Sequence, residues 1–174
     1  MDHRLSIPIE LLTSSGQVSD LARILFQERR IAVDTESNSG HRYPERVCLV
    51  QVATNSKVYL IDTLAVNDMK PIGEVLADET VVKVIQGAEY DMRCLDREWG
   101  FRVRNLFDTS VAARFAGMKQ FGLSALIEAL LGVHVPKHAR IQKSDWSRRP
   151  LSEEALNYAA TDVWYLLSIR KALE

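Results

Sequence analysis

Two carboxylates stand two residues apart after a short apolar run, in Ile31-Ala-Val-Asp34-Thr-Glu36. The run reads as a buried strand ending in the acidic pair. Side chains alternate along a strand, so Asp34 and Glu36 share one face and Thr35 points to the other. Partly desolvated anions side by side repel each other, and each is costly unless something positive compensates. A hard divalent cation with oxygen ligands is the natural partner. A strand running out into a polar loop accounts for D-x-E alone equally well, so the rest of the chain must decide.

Further acids carry the same chemistry. Tyr158 and Asp162 are four residues apart, one turn apart on one helix face, and Asp162 keeps the apolar company of Ala159, Ala160, Val163 and Trp164. Asp91 follows the strand at 81–85 and the turn Gln86-Gly87-Ala88, so it falls in the first turn of a helix. There the helix dipole alone would favour an acid, and Glu89 occupies the same turn. Periodicity does not choose between the two.

These residues need elements to hold them. Apolar spacing predicts an amphipathic helix at 19–29 and strands at 31–36, 47–53 and 57–61, all three with short connections and hence antiparallel neighbours. A helix at 71–77, a strand at 81–85, a helix at 89–99 and a short strand at 104–107 follow. Helices at 108–116 and 123–131 come next, then a polar loop at 137–149 and a closing helix at 152–173. Pro150, a Ser152 cap and Glu153 and Glu154 in the first turn mark the start of that last helix. An antiparallel meander followed by β-α-β crossovers is a mixed α/β sheet with helices on both faces. No G-x-G-x-x-G follows the first strand, which counts against a dinucleotide fold.

A length of 174 residues predicts one domain spanning 1–174. The net charge of -1 argues against coating nucleic acid through bulk electrostatics, though not against gripping one end of a strand. Apolar runs are too short to span a bilayer, and residues 1–5 lack the apolar segment of a secretory signal, so no membrane partner is expected. Cys48 and Cys94 lie in apolar settings without metal-ligand spacing, predicting buried free thiols and a cytoplasmic location. Residues 137–149 carry five Lys/Arg, either a solvated loop or a flank tracking a phosphate backbone.

Together, D-T-E on the first strand, Asp91 and Y-x-x-x-D in the last helix resemble the DEDDy 3′–5′ exonucleases. Ser144-Asp-Trp-Ser-Arg-Arg-Pro-Leu-Ser, Leu49-Val-Gln51, Phe107-Asp-Thr109 and Gly122-Leu-Ser-Ala-Leu are similar to the ribonuclease D branch. The resemblance implies a ribonuclease H-like fold and a 3′–5′ exoribonuclease that releases 5′-mononucleotides from a single-stranded RNA 3′ end. It selects Asp91 over Glu89, and Asn157, where relatives carry histidine, selects the tyrosine class. It further implies two divalent ions, Mg²⁺ or Mn²⁺, with Asp34 bridging both, Glu36 and Asp162 completing one site and Asp91 supporting the other. Tyr158 would orient the attacking water. Thr35, Gln86, Arg148 and Arg149 are the implied nucleotide contacts, although Gln86 replaces a usual histidine and cannot become a cation. No helical accessory domain of the kind appended to longer ribonuclease D proteins is expected after residue 174. A DNA exonuclease would use the same acids. A catalytically silent nucleic-acid-binding module would show a lost acid, and none is lost.

Overall fold

The computed structural model describes residues 7–41, 43–136 and 138–174. Six strands make one sheet: β1 (Ile9–Leu12), β2 (Arg30–Ser37), β3 (Val47–Ala53), β4 (Val58–Asp62), β5 (Val82–Ile85) and β6 (Leu106–Asp108). Their order is β1-β4-β3-β2-β5-β6. β2, β3 and β4 form the expected antiparallel meander, while β1 pairs with β4, and β5 with both β2 and β6, in parallel.

Alternation along β2 divides the molecule. Ile31 and Val33 face a core built with α1 (Ser15–Leu25), α2 (Lys70–Ala77) and α3 (Glu89–Trp99). Ala32 faces the other core, built with α4 (Thr109–Phe115), α5 (Leu123–Leu131), α6 (Ala139–Gln142), α7 (Glu153–Trp164) and α8 (Leu166–Leu173). Helices therefore cover both faces, as the patterning predicts. Asp34 and Glu36 inherit the side of Ala32, where α7 lies across β2, β3 and β4. Small residues there, Ala32 and Ala53 on the sheet and Ala155, Ala159 and Ala160 on the helix, let α7 approach closely.

The structure corrects several boundaries. β1 was not expected: it is a four-residue edge strand with Glu10 in its middle, too short to show a period. α1 starts at Ser15 because Ser14 and Gln17 form a reciprocal capping box upstream of the apolar window. β2 does not end at the acidic pair but runs to Ser37, with a register shift between Glu36 and Ser37 that bends the strand just past the acids. The 137–149 segment is not simply a loop, since it contains α6 and buries Ile141 and Trp146. The closing helix is two helices, interrupted at Tyr165, whose N–H reaches Val163.

Both cysteines are buried free thiols. No helix among the described residues is long and apolar enough to cross a membrane. The reading of residues 1–5, and Lys137 of the basic segment, lie outside the described residues.

Candidate active site

Three of the acids converge. Carboxylate oxygens of Asp34, Glu36 and Asp162 all lie within 4.8 Å of one another. Two come from the strand face that alternation dictates, and the third from the side of α7 pressed against it. Asp91, buried in the first turn of α3 in the helix layer on the Thr35 side of β2, is outside that trio, but its carboxyl comes within hydrogen-bonding reach of Asp34. Thr35, pointing to that side as expected, donates its hydroxyl to Asp91 Oδ1 at 2.6 Å. The Thr35 side chain therefore holds an acid in place.

Asp108 fixes the approach to Asp91. Its carboxylate accepts from the N–H groups of Gly87 (3.0 Å) and Ala88 (2.8 Å), and caps α4 through Ser110 and Val111. The turn it staples places Gly87 at φ +66°, a left-handed conformation suited to glycine. Burial acts upward on this carboxyl, and the Ala88 and Gly87 N–H groups outweigh it, leaving Asp108 below its ordinary value.

The cluster itself shows the opposite balance. Burial, then the charges of Asp91, Asp162 and Glu36, raise Asp34 well above the usual carboxylate range. Glu36 is pushed up to about 9 by burial and by Asp162 and Asp91. Asp162 rises to about 7 by burial, with the Tyr158 hydroxyl pulling the other way. Asp91 is raised by burial and tempered by Thr35. Among the described residues, no basic side chain offsets the upward shift of any of these four carboxyls. Their all-oxygen donor set, half-buried and convergent, fits a hard divalent cation and disfavours zinc.

Tyr158 is one turn before Asp162. Burial, then the Asp162 and Glu36 charges, push its hydroxyl far above the ordinary tyrosine value, so it keeps its proton. Its ring lies 6.1 Å from buried Trp146 and 6.4 Å edge-on to His138. The segment before α7 thus packs directly on this tyrosine.

Other expected contacts are occupied within the fold. Gln86 donates to the Phe121 carbonyl at 2.8 Å and accepts from Thr109. Arg149 spends all five N–H donors internally: two on Asp62, at 2.7 Å each, and three on the carbonyls of Cys48, Trp146 and Arg148. Arg148, by contrast, is 84% exposed. Sequence reasoning missed Asp62, Asp108 and Trp146 as supports. An Asp immediately before a helix was a readable capping signal for Asp108 alone.

The sequence model of a family described as 3′–5′ exonuclease matches residues 9–174. Ribonuclease D of Granulibacter bethesdensis is 38% identical over 165 residues, covering 94% of this chain and 41% of that protein. Protein RRP6-like 3 of Arabidopsis thaliana is 38% identical over 161 residues, covering 92% of this chain and 18% of that protein. The chain therefore spans less than half the length of these relatives. Among solved structures, RNase D of Escherichia coli, described as an exoribonuclease involved in structured RNA processing, superposes with a TM-score of 0.89 at 29% identity. That match covers 96% of this chain and 44% of the other.

Proposed function

This chain belongs to the 3′–5′ exonuclease family, and from that premise we propose that it is a ribonuclease D-like 3′–5′ exoribonuclease. The observation that carries the reading is the convergence of Asp34, Glu36 and Asp162 within 4.8 Å, with Tyr158 one helical turn away. The names of the relatives, ribonuclease D and an RRP6-like protein, favour RNA over DNA.

Asp34, Glu36 and Asp162 would hold one divalent ion, and Asp34 with Asp91 a second, either Mg²⁺ or Mn²⁺. Bound there, such ions make water nucleophilic near neutral pH and neutralise charge on the departing 3′-oxygen. Water attacks the last phosphodiester phosphorus, the bond to the 3′-oxygen of the preceding nucleotide breaks, and a 5′-mononucleotide leaves. Tyr158, which retains its proton, orients the attacking water by hydrogen bond and is not a base. Thr35 keeps Asp91 in one rotamer. Arg148 is an exposed cation of the flank, beside Arg140 and Lys143, that meets substrate phosphate. The reducing environment implied by two buried free thiols supports a cytoplasmic setting.

The test uses matched single-stranded RNA and DNA, a blunt duplex and a circular single strand, each with Mn²⁺ and with EDTA. Expected are 5′-mononucleotides from the linear RNA in Mn²⁺ alone and none from the circle. Comparable cleavage of the circle would make the protein an endonuclease, and faster release from DNA would reassign the substrate.

A further inference from the structure

We propose that Gln51 is a positioning residue of the acidic site, its buried amide fixing the Glu36 carboxylate for a divalent cation. The proposal rests on the reading of that cluster as a metal site.

Gln51 interrupts the apolar run of β3, VCLVQVA, every residue of which is buried. It is 0% exposed, and both its amide nitrogen and its amide oxygen lack a hydrogen-bond partner among the described residues. Leaving such groups unsatisfied costs roughly 1–3 kcal/mol each, and an apolar side chain of similar shape would avoid that cost. The strand does not demand polarity there. Leu49 and Ala53, two residues to either side on the same face, are apolar members of the core.

What the amide faces is the acidic pair. Gln51 is the cross-strand partner of Asp34, and Leu49 that of Glu36, so Gln51 and Glu36 are diagonal neighbours on one face. Two long side chains reach one another across that diagonal. Gln51 stands close enough to Glu36 to favour its charged form, yet short of a hydrogen bond of normal geometry. A small closing movement of either side chain supplies one N–H to one Glu36 oxygen. The other oxygen then stays with Asp34 and Asp162. Carboxylate ligands held in this way are ordinary at metal centres, and removing the outer partner typically weakens metal affinity by about 10- to 100-fold.

The test is Gln51→Met, which preserves size and removes the amide, read by calorimetric titration with Mn²⁺ and by melting in EDTA and in Mn²⁺. The expected result has two parts that a structural role would not produce together. In EDTA the variant melts at or above the wild-type temperature, because an unsatisfied amide has gone. Its Mn²⁺ affinity nevertheless falls about 10-fold or more, and the stabilisation by Mn²⁺ shrinks. Gln51→Asn, which keeps the amide but is one methylene short of Glu36, should lose affinity as well. Mn²⁺ affinity within twofold of wild type in either variant would overturn the proposal. A wild-type protein that binds no Mn²⁺ would instead remove the metal reading beneath it, a separately visible outcome.

Discussion

Glu36 and Asp62 lie in one row across the sheet, with Leu49 between them, and both point to the face covered by α7. They are two strands apart, about 10 Å. Burial pushes both carboxyls upward, but Asp62 meets the fork of Arg149 and ends below its ordinary value. Glu36 meets Asp162 and Asp91 and climbs to about 9. One acid is neutralised by the chain and serves as a strut between β4 and the segment before α7. The other is left to whatever cation arrives from outside. A buried carboxylate that the fold satisfies is structure, and one that the fold leaves among like charges is a site.

The comparison breaks most visibly if the two acids respond alike to substitution. Asp34→Asn or Asp162→Asn should reduce nucleotide release by roughly 10³-fold or more, the scale of losing a group on which the chemistry depends. The same variants should melt at or above wild type in EDTA, since repulsion is relieved. Release from a 3′-labelled RNA and melting curves in EDTA test both halves, and near-wild-type turnover would remove the metal assignment. Arg149→Ala should do the reverse. It strands Asp62, which is only 6% exposed, and should cost about 3 kcal/mol, equivalent to roughly 6–12 °C in Tm. Arg149→Lys should recover little, because a single ammonium cannot replace a five-donor fork.

Tyr158→Phe sharpens the difference within the site. Water orientation is lost while the carboxylates remain, so kcat should fall between about 10- and 100-fold with Mn²⁺ affinity unchanged. Parallel loss of metal binding and rate would make the tyrosine a structural member of the cluster.

The two acids also predict opposite pH responses. Between the ordinary carboxyl value of 4.5 and about 9 the native state holds a proton at Glu36 that the unfolded chain has released. Asp162 behaves likewise from 3.8 to about 7. The native state binds more protons in that window, so metal-free stability falls as pH rises through it. Asp62 has a depressed value, so its contribution is present above 3.8 and is lost as pH falls through its lower folded value. Melting in EDTA from pH 5 to 9 should show a declining Tm, and millimolar Mn²⁺ should flatten the decline by binding only the native state. A flat profile in EDTA would mean that the acids are better solvated than their burial implies.

How much of this was legible in the sequence follows the range of each interaction. Alternation in β2 and the four-residue step from Tyr158 to Asp162 are local periodicities: they put Asp34 and Glu36 on one strand face and Tyr158 and Asp162 on one helix face, while the meeting of those faces is tertiary. α3 and α5 begin and end where expected, and each stops at a left-handed glycine, Gly100 and Gly132. The internal partner of Arg149 left no periodic trace, because Asp62 is 87 residues earlier. Gln51 was visible as a polar residue in an apolar strand, but only the register with β2 shows what it faces.

Arg148 and Arg149 make the finest version of the same contrast, adjacent in sequence and opposite in use. Arg149 has no donor left, whereas the Arg148 side chain is 84% exposed and stands 3.8 Å from Asp145, too far for a hydrogen bond, while Asp145 accepts from the Ser147 N–H and hydroxyl. A freely solvated guanidinium beside the helix carrying Tyr158 and Asp162 gains by meeting a phosphate and contributes almost nothing to folding. Arg148→Ala should therefore leave Tm within about 1 °C, a surface change of the usual small size. KM should rise a fewfold with kcat nearly unchanged, because one phosphate contact binds ground and transition states alike. Losing a single contact to a single-stranded backbone should also reduce the slope of log KM against log salt by about 0.7. The measurement is KM on one linear RNA across a salt series for wild type and variant. An unchanged slope would place the substrate backbone away from this flank, and a fall in Tm matching that of Arg149→Ala would make both arginines struts.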